Sequence, residues 1–267
     1  VSAKGELLAK GATAEVYAWG DQHILKLYKA GFPPDEAARE ARRAHIAHAT
    51  GLPTPTASEV VQVAGRQGVV YERVVGHSML HVLLHEPERL QALARQLANL
   101  HVAIHGQTAL ALPALHTRLQ RKIAEQDTLP APLKTVLLTQ LEQLPAGDAL
   151  CHGDFHPENV IMTADGPVII DWVDATRGNP AADVARTRIL LCHSVLPAHL
   201  DETTRRQVDE LRYAFFDTYL TCYCTLLPLS EQEIAQWNAA VAAARLCERI
   251  PAEEQMRLVD MVTLALQ

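Results

Sequence analysis

The groups best suited to chemistry crowd into nine consecutive residues, Cys151-His152-Gly153-Asp154-Phe155-His156-Pro157-Glu158-Asn159. Twelve residues after Asn159 comes Asp171, within Ile169-Ile170-Asp171-Trp172. Glycine and proline predict an irregular loop for the first stretch, and the apolar runs at 160–162 and 168–170 predict short strands. Asp154 and Asn159 should therefore share one loop, with Asp171 ending the neighbouring strand. Two carboxylates and an amide gathered in this way suit a hard, oxygen-seeking cation such as Mg2+. Phosphoryl transfer uses such an ion between phosphate oxygens, and a separate carboxylate to orient the acceptor hydroxyl. A polar β-turn would explain one or two of these residues, but not the whole string.

The elements that must position this loop fall into two halves. Strands are predicted at 16–19 and 24–28, joined by Gly20-Asp21-Gln22, and at 60–64 and 69–74, turned at Gly65-Arg66. Between the pairs, Pro33-Pro34-Asp35 opens a helix that runs to about Thr50 and stops at Gly51. Lys26 sits inside a strand pattern, Ile24-Leu25-Lys26-Leu27-Tyr28; taken alone it reads as an exposed edge-strand lysine. Glu36 and Glu40 lie one turn apart on the same face of the helix. Before Lys26, the small residues of Lys10-Gly11-Ala12-Thr13-Ala14 let backbone N–H groups approach a phosphate. No G-x-x-x-x-G-K-S/T occurs, which excludes a P-loop nucleotide site.

Beyond Gly76 the pattern turns helical. Residues 87–105 carry Leu90, Leu93, Ala94, Leu97 and Leu100 at a 3.6-residue period, and 131–144 carry Leu133, Leu137, Leu138, Leu141 and Leu144. The last ninety residues read as helix broken near Pro197, Pro228 and Pro251. The expected class is α+β: a small antiparallel-sheet lobe over 1–75 and a larger helical lobe over 76–267.

With HGDFHPEN followed by IIDW, the chain resembles the aminoglycoside phosphotransferase and choline kinase group, small-molecule kinases of bilobal, protein-kinase-like fold. The resemblance is strong over 149–190, fair over 5–76 and weak after 195. It implies Asp154 as catalytic base, Asn159 and Asp171 as Mg2+ ligands, and ATP or GTP as phosphoryl donor. His152 and Asp183 are then structural supports of the loop. The same resemblance implies that Lys26 holds the donor phosphates and is fixed by a helix glutamate, Glu40 fitting the family pattern better than Glu36. It assigns Gly11 to the phosphate-covering loop, although one glycine is all that survives of the kinase pattern. Tyr71 becomes the gatekeeper, the Glu72 carbonyl and Val74 amide reach the nucleobase, and Gly76 opens the second lobe. A plain edge strand is the other reading of 70–76. No A-P-E ending follows Asp171, which disfavours a protein kinase, and the intact Lys26, Asp154, Asn159 and Asp171 argue against a regulatory pseudokinase.

Composition is that of a globular protein, with 48% hydrophobic and 21% charged residues among 267. A net charge of −7 disfavours a nucleic-acid partner. No apolar run approaches a membrane span. Five cysteines without a C-x-x-C pair, and no leader read at the start, lead us to expect a reducing cytoplasm. His101 and His105 have metal-ligand spacing, but no third ligand is evident and packing is the expected role. Tyr213, Phe216, Tyr219 and Tyr223 form a helical stripe that reads as core, or as the wall of an acceptor pocket. Residues 201–267 hold 11 acidic against 6 basic side chains. That surplus is either solvated surface or a lining for a cationic acceptor, and the expected acceptor is an aminoglycoside-like small molecule. Choline or another metabolite is the alternative.

Overall fold

The structure is a computed structural model that describes residues 4–196 and 199–266; the break expected at Pro197 lies outside the described residues. The chain divides into two compact units. One joins Val1–Val82 to Glu158–Ala175, and the other joins Leu83–Pro157 to Thr176–Gln267. This differs from the contiguous cut expected at residue 75, because the chain returns to its first unit at Glu158.

In the first unit, β1 (Lys4–Lys10), β2 (Ala14–Trp19), β3 (His23–Tyr28), β4 (Ala57–Val63) and β5 (Arg66–Glu72) form an antiparallel sheet ordered β1-β2-β3-β5-β4. Lys26 thus stands on the central strand, not on an edge. The β4–β5 turn falls at Ala64-Gly65, one residue earlier than expected, and both residues adopt positive φ (49° and 76°). Two left-handed residues make the hairpin twist match its strands, a geometry glycine meets freely and alanine at some cost. Helix α1 (Glu36–Ala49) turns Ala37, Ala41, Ala44 and Ala47 inward. Their small side chains let the helix approach Ala14, Tyr28, Val69 and Tyr71 of the sheet side of this core. Gly51 ends the helix as expected, its N–H donating to the His48 carbonyl at 3.0 Å with φ 83°.

A second sheet of this unit orders β6 (His77–Ser78), β8 (Val160–Thr163) and β9 (Gly166–Ile169). Gly76, expected to open the second lobe, lies instead against the Met162 carbonyl of β8, where there is no room for a Cβ. This pairing is what draws Glu158–Ala175 into the first unit.

The second unit is built from α3 (Leu90–His105), α4 (Leu115–Glu125), α5 (Ala131–Gln143), α6 (Pro180–Cys192), α7 (Glu202–Leu226), α9 (Asn238–Arg245) and α10 (Ala252–Ala265). The short helix α8 (Glu231–Ala235) also belongs to this unit, and α2 (Met79–His85) contains the boundary between Val82 and Leu83. Strands β7 (Ala149–Cys151) and β10 (Thr176–Gly178) pair antiparallel at the two ends of the loop region. Leu93, Leu97, Leu100 and Ile104 give α3 the apolar face expected of it, and it packs along α7. Helix α6 is buried from Ala181 to Thr187 without a break. A helix buried on every side belongs to the centre of its unit, and its polar residues must find partners there. Among the described residues, no helix is long and apolar enough to cross a membrane.

Candidate functional site

The first unit gathers two carboxylates around one ammonium. Lys26 Nζ donates to Glu40 Oε1 at 2.9 Å and to Asp171 Oδ1 at 2.8 Å. Glu40, not Glu36, is the helix partner. Its carboxylate accepts two more hydrogen bonds: Tyr71 O–H donates to Oε1 at 2.8 Å and Tyr28 O–H donates to Oε2. Burial disfavours the charged ammonium, yet Glu40 and Asp171 outweigh it and raise the Lys26 pKa. Asp171 follows β9 with φ 65° and ψ 61°, a left-handed conformation that aspartate tolerates better than most residues. The turn is pinned on both sides. Trp172 Nε1–H donates to Thr54 Oγ1 at 2.8 Å, Arg43 donates to the Val173 carbonyl at 2.9 Å, and Ile169 N–H donates to the Pro53 carbonyl at 2.7 Å. The β8–β9 hairpin pairs Val160 with Ile169, and Ile170 N–H donates to the Asn159 carbonyl at 3.0 Å. Asn159 and Asp171 are thereby set at the open end of one hairpin.

The remaining expected nucleotide residues lie in the same unit. Gly11 is exposed in the β1–β2 turn, where its N–H donates to the Ala14 carbonyl at 2.9 Å. Lys29 Nζ holds the Gly11 and Ala12 carbonyls at 2.7 and 2.9 Å. Glu72 is the exposed last residue of β5, and Val74 follows it half-buried in irregular backbone. Tyr71, expected as a gatekeeper able to swing, is buried and tied to Glu40.

The second unit holds the loop after β7, residues 152–157, against one face of α6. Asp183, Arg186 and Thr187 recur at i, i+3 and i+4, so all three point the same way. Asp183 accepts His152 N–H at 2.6 Å and Gly153 N–H at 2.8 Å. Gly153 has φ 81°, which turns the two amides toward one carboxylate. Arg186 Nε donates to the Gly153 carbonyl at 3.1 Å, and Thr187 Oγ1 donates to the Phe155 carbonyl at 2.8 Å. Asp154 N–H donates to His152 Nδ1 at 3.2 Å. The Asp154 carboxylate meets Arg186 Nη2 at 3.3 Å and His156 Nε2 at 3.5 Å. Burial would raise its pKa, but the His156 contact and the Arg186 charge hold it well below the usual carboxylate range.

Behind Asp183 lies a closed polar network. His101 and His105 place Nε2 at 3.2 and 3.3 Å from Asp183 Oδ2, and Nδ1 at 2.6 Å from the hydroxyls of Tyr219 and Tyr223. Burial first, then the neighbouring His105, push the His101 pKa down to about 3. Neutral His101 therefore carries its proton on Nε2, donates to Asp183, and accepts from Tyr219 at Nδ1. His101, His105 and Asp183 bring ligand-type atoms within 4.8 Å of one another, and hydrogen bonds engage each of those atoms. Phe216, Tyr219 and Tyr223 are buried packing residues, while Tyr213 is exposed and donates to the Cys192 carbonyl.

A model of the phosphotransferase enzyme family matches residues 4–226. The chain belongs to that family. No curated protein matches it in sequence. Among solved structures, aminoglycoside-3'-phosphotransferase of type VIII is 21% identical with TM-score 0.63, over 90% of this chain and 91% of that one. Amicoumacin kinase hAmiN, in complex with AMP-PNP, Ca2+ and Ami, is 17% identical with TM-score 0.64, over 98% and 88%. The GDP complex of aminoglycoside 2'-phosphotransferase-IIIa is 17% identical with TM-score 0.54, over 100% and 91%. At these identities the likeness establishes the fold of this phosphotransferase, the bilobal, protein-kinase-like α+β fold expected from its motifs.

Four residues of the network escaped the sequence reading. Tyr28 was legible only as a strand residue, Arg186 and Thr187 only as parts of a helix, and Glu248, which accepts from Arg186 Nη2 at 2.9 Å, only as one of eleven late acids. The i, i+3, i+4 spacing of Asp183, Arg186 and Thr187 on a helix whose one other charged residue is Arg188 was the available signal for two of them.

Proposed function

We propose that this phosphotransferase moves the γ-phosphoryl group of ATP or GTP to a hydroxyl of a small molecule. The observation that carries the reading is Lys26 Nζ held between Glu40 and Asp171 at 2.9 and 2.8 Å. An ammonium fixed in this way on a central strand is ready to neutralise donor phosphates. Gly11 covers the phosphates, and the Glu72 carbonyl and Val74 amide take the nucleobase edge. Asp154 accepts or orients the hydroxyl proton of the acceptor. Its low pKa suits orientation more than full proton abstraction, as a loose phosphoryl-transfer transition state requires.

Mg2+ fits the donor set of the β8–β9 hairpin, where Asn159 offers an amide oxygen and Asp171 a carboxylate, both hard ligands. Bound there, the ion would neutralise charge on the transferring group. His152 and Asp183 support the loop backbone without touching substrate.

For the acceptor, the aminoglycoside names of several structural relatives support an aminoglycoside-like molecule. A second reading, a hydroxyl compound of low positive charge, is favoured by the fate of the late carboxylates. Glu248 pairs with Lys122, Arg186 and Arg245, and Glu254 pairs with Arg245, so neither is left to bind an ammonium. Choline and other metabolites belong to this second group.

The test is a panel of acceptors with γ-labelled ATP and GTP, run beside Asp154→Asn. This nearly isosteric variant should keep its fold and nucleotide affinity while losing about 10²-fold or more in turnover. Turnover close to wild type with a saturating acceptor would refute the assignment.

A further inference from the structure

Arg186 is an unusual residue to find inside a helix stretch buried without a break from Ala181 to Thr187. Its side chain is 10% exposed and makes three directed contacts: Nε to the Gly153 carbonyl at 3.1 Å, Nη2 to Asp154 Oδ1 at 3.3 Å, and Nη2 to Glu248 Oε2 at 2.9 Å. Glu248 is itself gripped. Lys122 Nζ donates to its Oε1 at 2.9 Å and Arg245 Nη1 to its Oε2 at 2.8 Å, while Arg245 Nε is held by Glu254 at 2.6 Å. Charges of alternating sign thus run from the loop carboxylate to α4, α9 and α10. The three acids of this chain, Asp154, Glu248 and Glu254, face the three bases Arg186, Lys122 and Arg245.

We propose that Arg186 is a positioning residue for Asp154, its guanidinium locking the carboxylate in one orientation while Glu248 locks the guanidinium. The inference rests on the reading of Asp154 as the base. Guanidinium is a rigid, planar fork, so fixing Nε on the Gly153 carbonyl also fixes where Nη2 points. The same group that holds the loop backbone therefore aims the carboxylate borne by the next residue. A lysine has one nitrogen on a flexible stem and cannot hold a carbonyl and two carboxylates in this geometry. Misplacing a catalytic group by a fraction of its contact distance is costly in rate without being costly in substrate affinity. Burial alone would push the Asp154 carboxyl toward its neutral form, and the His156 hydrogen bond first, then the Arg186 charge, oppose this.

The experiment uses the whole protein with water as acceptor, following phosphate release from Mg-ATP and Mg-GTP across pH 4.5–8. Carboxyl carbons of labelled aspartates are titrated separately by NMR from pH 7 down to the acid limit of the folded state, because Asp154 is held well below the usual carboxylate range, with Asp154→Asn serving to assign the resonance. In Arg186→Met, kcat should fall about 10-fold or more with the nucleotide KM within about twofold, the split expected for lost positioning. The Asp154 resonance should titrate at least about one pH unit higher than in wild type. Arg186→Lys should recover part of the titration shift but little of kcat, and Glu248→Gln should lower kcat about 3-fold or more. Should Arg186→Met fail to fold, the latter two variants decide. Wild-type kcat and an unchanged Asp154 titration in folded Arg186→Lys and Glu248→Gln would overturn the proposal. So would a kcat loss that merely tracks a lowered Tm while the titration stays put. If Asp154→Asn itself releases phosphate as wild type does, the base assignment fails, and the positioning role falls with it.

Discussion

Mild acid should destabilise this protein before its ordinary carboxylates protonate, and His101 sets the size of the loss. The ring is fully buried, with centroids 4.1 Å from His105 and 4.4 Å from Phe155. Burial and the neighbouring His105 push its pKa down to about 3, whereas in the unfolded chain it titrates near 6.5. Between those two values the unfolded state binds a proton that the native state refuses. Stability therefore rises with pH across this window and falls on acidification, by about 1.4 kcal/mol per pH unit. Over the whole window the loss is about 5 kcal/mol, a large part of the 5–15 kcal/mol of a typical domain. The Asp183 carboxyl, held well below its usual value against burial by His101 and His105, adds a further loss only below about pH 4. The interval from pH 6 to 4.5 thus isolates the histidine, and about 2 kcal/mol should disappear within it. Urea unfolding followed by tryptophan fluorescence at several pH values measures this in wild type and in His101→Gln. The variant will be weaker at pH 7.5, because Tyr219 and Asp183 lose a partner, but its stability should fall less steeply with acid. His193, also lowered by burial, contributes to both proteins and cancels in the difference. Parallel slopes in the two would refute the reasoning.

Two further outcomes concern the first unit. Asp171→Ala should abolish Mg-dependent nucleotide binding, and Lys26→Ala should weaken it while the protein still folds; calorimetric titration of Mg-nucleotide distinguishes them, and unchanged affinity in Asp171→Ala removes that residue from the metal site. Tyr71 is bound to a buried carboxylate, so swinging it aside forfeits a hydrogen bond worth about 1.5–3 kcal/mol, more than a rotamer change alone. We expect GTP to be used at least as well as ATP, with Tyr71→Ala raising kcat/KM for ATP selectively; strong ATP preference unchanged by the substitution would end the gatekeeper reading.

What the sequence disclosed follows from how local each signal was. Helix α1 announced itself through Pro34 and Asp35 at its start and Gly51 at its end, and α3 through its leucine period. Strand β1 carried no such signal, because all seven of its residues are exposed on a sheet edge and nothing forces them to alternate. The three-residue strands β7 and β10 pair across 25 residues of chain from Cys151 to Thr176, with further bridges from β7 to Thr108 and from β10 to Ala114, all of them non-local. Helix α4 went unread, although Leu115, Leu119 and Ile123 are its buried stripe. In the candidate site, Asp154, Asn159 and Asp171 were legible because loop chemistry is written in consecutive residues. Glu36 and Glu40 share a face, so the choice between them needed the position along the helix: Glu36 opens α1 and pairs with Arg39, whereas Glu40 lies among the buried alanines. Arg186 and Glu248 were not legible, since 62 residues separate two ends of one ion pair.

The return of Glu158–Ala175 to the first unit has a consequence for how the protein is made. When Val82 leaves the ribosome, α1 and the Pro53–Thr54 loop still lack the turn that Trp172 and Val173 bring to them. About 90 more residues must be synthesised before that turn exists, which at 5–20 residues per second is a delay of roughly 5–20 s. During it, the face that Trp172 will cover is open to water and to other nascent chains. Chaperone demand should therefore peak early in synthesis, while most of the second unit is still untranslated. Slow codons placed just after residue 82 would lengthen the exposure, whereas slow codons after residue 175 would give the completed first unit time to close.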